Sequence, residues 1–358
     1  MTKSFLFCIL LLSGFTFRAY SQESNYFYSG KNYGSEATFS PVSLLLNGSY
    51  DIIQLENNSR DPFSYPYSSA WTNVWRNISN PFHSIRVYGV KNFFRDEVIP
   101  FDLSRKNAQW WPNYQLHLVG GGMTYVAIKE WYQLHNYPQP KLFALATTAA
   151  YQFLNETIEN NTYQGITVDP ISDIYIFNTG GILLFSDTSV CRFFSETLNL
   201  RDWSLQPTIS FNDHHLHNNG QYFSIKWFTP LSEQFGVFYY FGMNGLNGVS
   251  YRYDDSYTIS GGFGLRAKKL LLLDEQTNKK TVEMVWNTGF FIDKNNSLLA
   301  SIFFSGLSDY TALINIYPGL INIGGLDLGC WTALSRDYKI AMGINFSRLR
   351  GIGYSMFR

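Results

Sequence analysis

The 358-residue chain carries 27 basic and 27 acidic side chains, which gives no footing for nucleic-acid binding or for a strongly charged partner. Charged residues make up only 15% of it, while 25 Tyr, 30 Phe and 9 Trp raise the aromatic share to 18%, a balance that soluble proteins seldom need. The three cysteines, Cys8, Cys191 and Cys330, exclude a disulfide framework.

In chain order, Lys3 followed by an apolar stretch from Phe5 to Phe17 and the small-x-small triplet Ala19-Tyr20-Ser21 has the form of a signal peptide cleaved near Ser21–Gln22. The stretch is shorter than the roughly 20 residues of a spanning helix, so an N-terminal anchor is the weaker reading. Cys8 lies inside the apolar stretch, too early for lipid attachment. Removing residues 1–21 deletes Lys3 and Arg18 and no acid, which leaves 25 basic against 27 acidic side chains, a formal −2.

Residues 22–108 are expected to supply N-terminal strands and loops, with 84-SIRVYGV-90 as a strand and the Asn- and Tyr-rich 57–69 as loop. Between about 109 and 199 the hydrophobic period changes to that of helices. Three are predicted: Pro112 to Leu134, Pro140 to Glu159, and about Ser172 to Leu198, with prolines at or just before each start. Each apolar run is interrupted by acids (Glu130, Glu156, Glu159, Asp173) before it reaches spanning length, which suits a chain exported through an inner membrane. On the first helix Asn113, His117, Gly121 and Thr124 share a face; on the second Thr148, Gln152, Asn155, Glu156 and Glu159 do; the third carries Asn178 beside Gly180-Gly181. Small residues at 120–122, 146–150 and 180–181 let helix backbones approach and their polar side chains hydrogen-bond across the gap.

The segments 112-PNYQLHLVGGGMTY-125, 130-EW-131, 155-NETIE-159 and 169-DPISDIYIFNTGG-181 resemble a family of uncharacterised bacterial outer-membrane proteins. In that family a His–Gly–Tyr segment, a Glu-bearing helix and a Ser–Asp…Gly–Gly segment precede barrel strands. The resemblance spans roughly residues 80–190; where relatives often have Trp–Glu this chain has Asn155–Glu156, and its N-terminal third departs more. It implies an envelope barrel with embedded helices and no inherited activity.

From 200 to 358 the sequence alternates with period two. Blocks at 204–211, 221–229, 235–243, 257–265, 281–292, 298–305, 321–331, 338–346 and 351–357 put Phe, Tyr, Trp and Ile on one face and Gly, Ser, Thr and Asn on the other. Polar separators at 230–234, 274–280, 293–297 and 335–337 read as turns, and the last strand has Phe357 next to last. A secreted β-sandwich would show a charged outward face. An apolar face backed by small polar residues fits lipid outside and a small filled lumen inside. The expected fold is mainly β: a transmembrane antiparallel barrel of about ten to fourteen strands in the outer membrane, with a three-helix insert packed in or against the lumen.

As chemistry, His117, Glu156 and Asp173 are the candidate catalytic residues. Asn113, Glu130, Asn155, Glu159 and Asn178 complete an expected polar cluster. Glu156 and Glu159, at i and i+3, have the spacing of paired carboxylate ligands, but no second Glu-x-x-His accompanies them. No metal or cofactor is expected: 120-GGGMTY-125 lacks the Lys-Ser/Thr of a phosphate loop, no G-x-S-x-G occurs, and His214, His215 and His217 read as a polar loop able to bind Zn²⁺ or Cu²⁺ only adventitiously. The expected partners are outer-membrane lipid and the barrel-assembly machinery. The leading function is structural or transport-like in the envelope. The rivals are a membrane-embedded enzyme acting on lipid or lipopolysaccharide with His117 and Glu156 as acid–base pair, and a soluble secreted binding protein.

Overall fold

The computed structural model describes residues 25–100, 111–274, 279–346 and 351–356. The signal-peptide expectation for 1–21, residues 101–108, most of the 274–280 turn and Phe357 lie outside the described residues. Up to Thr197 the described chain is helical, and its strands begin at Arg201.

The expected N-terminal strands are helices instead. After Tyr67–Ser79 (α1), Pro81–Tyr88 (α2) covers most of the 84–90 stretch expected to be a strand. Pro81 suits a first helical turn. Val74, Ile78, Ile85 and Tyr88 then recur at helical rather than alternate spacing and pack in one cluster with Phe93. The two long predicted helices are present. Trp111–Gly120, which is π-helical, runs directly into Gly121–Leu134 (α3), and Pro140–Asn160 forms α4. The third is broken. A π-helical Ser172–Asn178 leads into Thr179–Leu184 (α5), and a new turn starts at Thr188, where the Asp187 carboxylate accepts from Ser189 N and Val190 N at 2.7 and 3.2 Å.

The remaining chain forms one 13-stranded, mostly antiparallel sheet. Its first six strands are Arg201–Asp202 (β1), Thr208–Ser210 (β2), Leu216–His217 (β3), Phe223–Phe228 (β4), Phe235–Phe241 (β5) and Asn244–Arg252 (β6). Tyr257–Asp274 (β7), Lys279–Lys294 (β8), Ser297–Ser305 (β9) and Ala312–Ile323 (β10) follow, then Leu326–Leu334 (β11), Ile340–Phe346 (β12) and Gly351–Ser355 (β13). The block expected at 321–331 is therefore two strand ends around the Gly324–Gly325 turn, where both glycines have positive φ (61° and 86°).

In hydrogen-bonded order the sheet runs β1-β4-β5 onward in sequence to β13, then β2-β3, so it has two ends and does not close as a continuous ladder. Those ends belong to one hairpin in constant register: Arg201 faces Ser224, Asp202 faces Phe223, Thr208 faces His217 and Ile209 faces Leu216. Between them Trp203 N donates to Tyr222 O and Leu205 N to Gly220 O. At the gap Asn47 reaches in, its Nδ2 donating to Leu205 O at 3.0 Å while its Oδ1 accepts from Gly220 N at 2.8 Å. β13 pairs with β2 in parallel, Gly351 to Thr208 and Gly353 to Ser210.

The two faces of the sheet differ sharply. One buries Trp203, Phe238, Tyr240, Phe291, Phe303, Tyr317 and Trp331 in a single cluster, among buried Ser250, Ser260, Asn287, Ser301 and Asn315. Across it Gln206 Nε2 donates to Ile316 O, Asn218 Nδ2 to Asn315 Oδ1 and Tyr317 Oη to Ser204 O. The opposite face leaves Val249, Phe263, Trp286, Phe290, Ile302, Ile314, Met342, Ile344 and Tyr354 exposed.

The helices do not occupy the inner face in the way expected of a lumenal insert. Trp111 meets Gly245 and Tyr239, and Gln115 accepts from Tyr239 Oη. Leu116 and Val119 join a core that contains Phe223 and Phe241. In register, Phe223, Tyr239, Phe241 and Gly245 share the face of Trp227 and Val249, which is the outward one. Short segments before α1 reach the buried face instead: Gln54 Oε1 accepts from Tyr222 Oη and from Arg266, and the Arg60 guanidinium lies over the Tyr310 ring.

Candidate functional site

The helix crossings set the site. A Cβ on Gly122 would stand 2.6 Å from Gly181 O, and one on Gly181 would stand 2.4 Å from Leu118 O, so α3 and α5 touch backbone to backbone. That contact brings the π-helical turn carrying His117 against the one carrying Asp173 and Asn178. Irregular π turns are uncommon and recur at functional sites because they re-aim side chains that a regular helix would space evenly.

His117 Nε2 lies 3.2 Å from Asp173 Oδ2, with the two side chains 20% and 6% exposed. Asp173 Oδ1 accepts from Ser172 Oγ at 3.1 Å. Glu156 and Asp169 bring carboxylate oxygens within 4.8 Å of those of Asp173. Burial pushes the Asp173 carboxyl well above the usual range, and the charges of Asp169, Glu156, Glu97 and Glu159 push it the same way. Burial also lowers His117 to about 4, partly offset by the nearby Asn178 amide. Both shifts favour uncharged forms. Burial at this contact therefore works against an ion pair and favours a carboxyl group beside a neutral imidazole. A neutral acid bonded to a neutral base can pass one proton between them or to a third group, which is the elementary act of acid–base catalysis.

Of the residues singled out in the sequence, His117 and Asp173 are in direct contact and Glu156 adjoins Asp173. Glu159 is half-buried and acts on Asp173 through its charge. Asn113 Nδ2 donates to Glu97 O at 2.7 Å, and Asn155 Nδ2 reaches Ser49 O at 3.5 Å. Glu130 serves a different place: it accepts from the backbone N–H groups of Tyr26, Phe27 and Tyr28 at 2.7, 2.9 and 2.8 Å and ties the N-terminal segment to α3. Asp169 and Glu97 were not anticipated. Asp169, which stands four residues before Asp173 in a helical stretch, carried a usable signal; Glu97, in a segment read as strand and loop, carried none.

No known protein family matches the chain, and no curated protein and no solved structure shows significant similarity to it.

Proposed function

We propose that the chain is an outer-membrane β-barrel with a helical domain mounted on the outward side of its first strands, serving a structural role in the envelope. The observation that carries this is the apolar outward face. From β7 to β13 the residues alternating with the buried set include exposed Phe, Trp, Ile, Val, Met and Tyr, such as Phe263, Trp286, Phe290, Ile314, Met342 and Tyr354. A soluble sandwich would place charges there, whereas a bilayer rewards this composition. Ring closure is supported by the hairpin shared between the ends of the sheet. With β1/β2 and β3/β4 each counted as one strand, the 13 segments become eleven, and the parallel β13–β2 pairing is what an odd-numbered ring of otherwise antiparallel strands requires. The rings of Trp203, Tyr240, Phe291, Tyr317 and Trp331 fill the interior, which favours a structural role over solute passage. No helix among the described residues is long and apolar enough to cross a membrane, so the strands would carry the embedding. The reading agrees with the resemblance to outer-membrane proteins noted from the sequence. The mature protein is expected to fractionate with outer membranes, to resist carbonate extraction and to migrate differently on gels with and without boiling. Recovery as a soluble periplasmic protein would overturn the reading.

The His117–Asp173 contact favours a second reading, a membrane-embedded enzyme acting on lipid or lipopolysaccharide. His117 would be the base and Asp173, in place of the expected Glu156, its direct partner. His117→Gln should then assemble normally and change the lipid profile of the producing cell; full complementation of a deletion by that variant would remove this reading.

A further inference from the structure

Outside the helical site, the turn joining β2 to β3 gathers Asp213, His215 and His217. One carboxylate oxygen and two ring nitrogens lie within 4.8 Å of one another. Asp213 Oδ2 stands 3.6 Å from His215 Nδ1 and 3.9 Å from His217 Nε2. Around a tetrahedral Zn²⁺ with bonds of roughly 2.0–2.1 Å, neighbouring ligand atoms sit about 3.3 Å apart, so small side-chain rotations would complete three bonds. Alternate positions along an extended strand put His215 and His217 on one side, and His214, with φ of 59°, makes the bend that brings Asp213 to them.

The groups behind these ligands are also in place. His217 Nδ1 is 3.0 Å from Tyr310 Oη, which can accept its proton and leave Nε2 with the lone pair a metal needs. Asp213 is held by Ser355 Oγ, which donates to Oδ2 at 2.6 Å, and by His215 N, which donates to Oδ1 at 3.1 Å. The nearby positive charge of Arg60 is paired with Asp309 at 3.1 Å and lies over the Tyr310 ring. We propose that Asp213, His215 and His217 form a binding site for a divalent first-row transition metal, Zn²⁺ foremost, with a fourth position left for water. Two imidazoles and one carboxylate are a borderline ligand set that suits Zn²⁺, Cu²⁺ or Ni²⁺ and discriminates against Ca²⁺ and Mg²⁺. Because Asn212 and Asp213 both hold Ser355 of the last strand, an ion there would fasten the β13–β2 pairing from one end.

The test uses the full-length protein, folded in detergent and purified without a polyhistidine tag, titrated with Zn²⁺ by calorimetry and with Co²⁺ by visible absorption. One equivalent and the d–d bands of four-coordinate Co²⁺ are expected. Asp213→Asn and His215→Ala should weaken binding at least about tenfold. His214→Asn, which tolerates the positive φ and removes only a ring outside the cluster, should bind as wild type. His215 is part-exposed, so its variant keeps the test open where replacement of the buried His217 prevents folding. Absence of saturable Zn²⁺ binding, affinity unchanged in folded His215→Ala, or equal loss in His214→Asn would each overturn the assignment.

Discussion

Lys226 and Asp293 meet at 2.6 Å inside the sheet, each side chain only 1% exposed. They link β4 to β8, strands that are not neighbours in the sheet, across its buried face. A charge withdrawn from water to this degree depends on its partner, because the mutual attraction offsets two desolvation costs at once. Asp293 also accepts from Asn296 N at 2.9 Å, which fixes the carboxylate at the start of the turn before β9.

Removing one partner should therefore cost far more than removing both. Asp293→Ala is expected to destabilise the protein by about 3–5 kcal/mol, and Lys226→Met combined with Asp293→Ala to recover much of that. Urea midpoints of the purified protein would measure it; single and double variants of equal stability would show that the pair is not coupled.

The helix crossing gives a contrast between adjacent glycines. A methyl on Gly181 would meet the backbone at Leu118 O and Gly122 N, at 2.4 and 3.0 Å, whereas one on Gly180 would meet only the flexible end of Leu118, at 3.2 Å. Gly181→Ala should cost about 1–3 kcal/mol by forcing α3 and α5 apart, and Gly180→Ala far less. Thermal unfolding followed by near-UV circular dichroism would separate the two; equal losses would contradict the close crossing.

His117 and Asp173 should act on stability with opposite signs. His117 has its folded value lowered from 6.5 to about 4, so its contribution is present above 6.5 and is lost as pH falls through that window. Asp173 has its folded value raised above 3.8, so its contribution is present below 3.8 and is lost as pH rises toward the elevated value. In the wild type the two slopes oppose each other where these ranges overlap, from about 4 upward. Asp173→Asn should expose the first, with stability rising with pH across that window, and His117→Gln the second, with stability falling. Denaturation midpoints at a series of pH values would show these slopes, and identical profiles for the two variants would refute the assignment.

Phe290 is exposed on the outward face of β8, opposite Gly261 on β7 and Ile302 on β9. If that face meets hydrocarbon, Phe290→Lys should cost about 2–4 kcal/mol in lipid vesicles. On a water-facing surface the same change would stay within about 0.5 kcal/mol. Guanidine unfolding from vesicles distinguishes the two.

How much of this was legible in the sequence depended on whether local pattern or distant packing decided the structure. The 257–265 block alternates because one face is buried and the other is not, and β7 contains it. Pro112–Leu134 and Pro140–Glu159 were legible from proline starts and apolar period. The 84–90 segment misled because Ile85 and Val87 alternate locally, while the contact that fixes the helix is Ile85 and Tyr88 packing with Val74 and Ile78. The polar face of the first long helix was visible, but not its partners: His117 meets Asp173 only because glycine contacts set where α5 crosses α3. The placement of the helices on the outward side was hidden for a similar reason. Phe223, Tyr239 and Phe241 look the same in sequence whether lipid or a helix covers them.

The parallel pairing of β13 with β2 sets an order in time. Ser355 and Asn212, which meet beside that pairing, are 143 residues apart, so these contacts form only after the whole stretch between them has been made. Until then Thr208–Ser210 and the outer side of β12 are unpaired strand edges, open to other chains. A chain truncated before Gly351 would keep these edges open and should aggregate rather than merely lose stability.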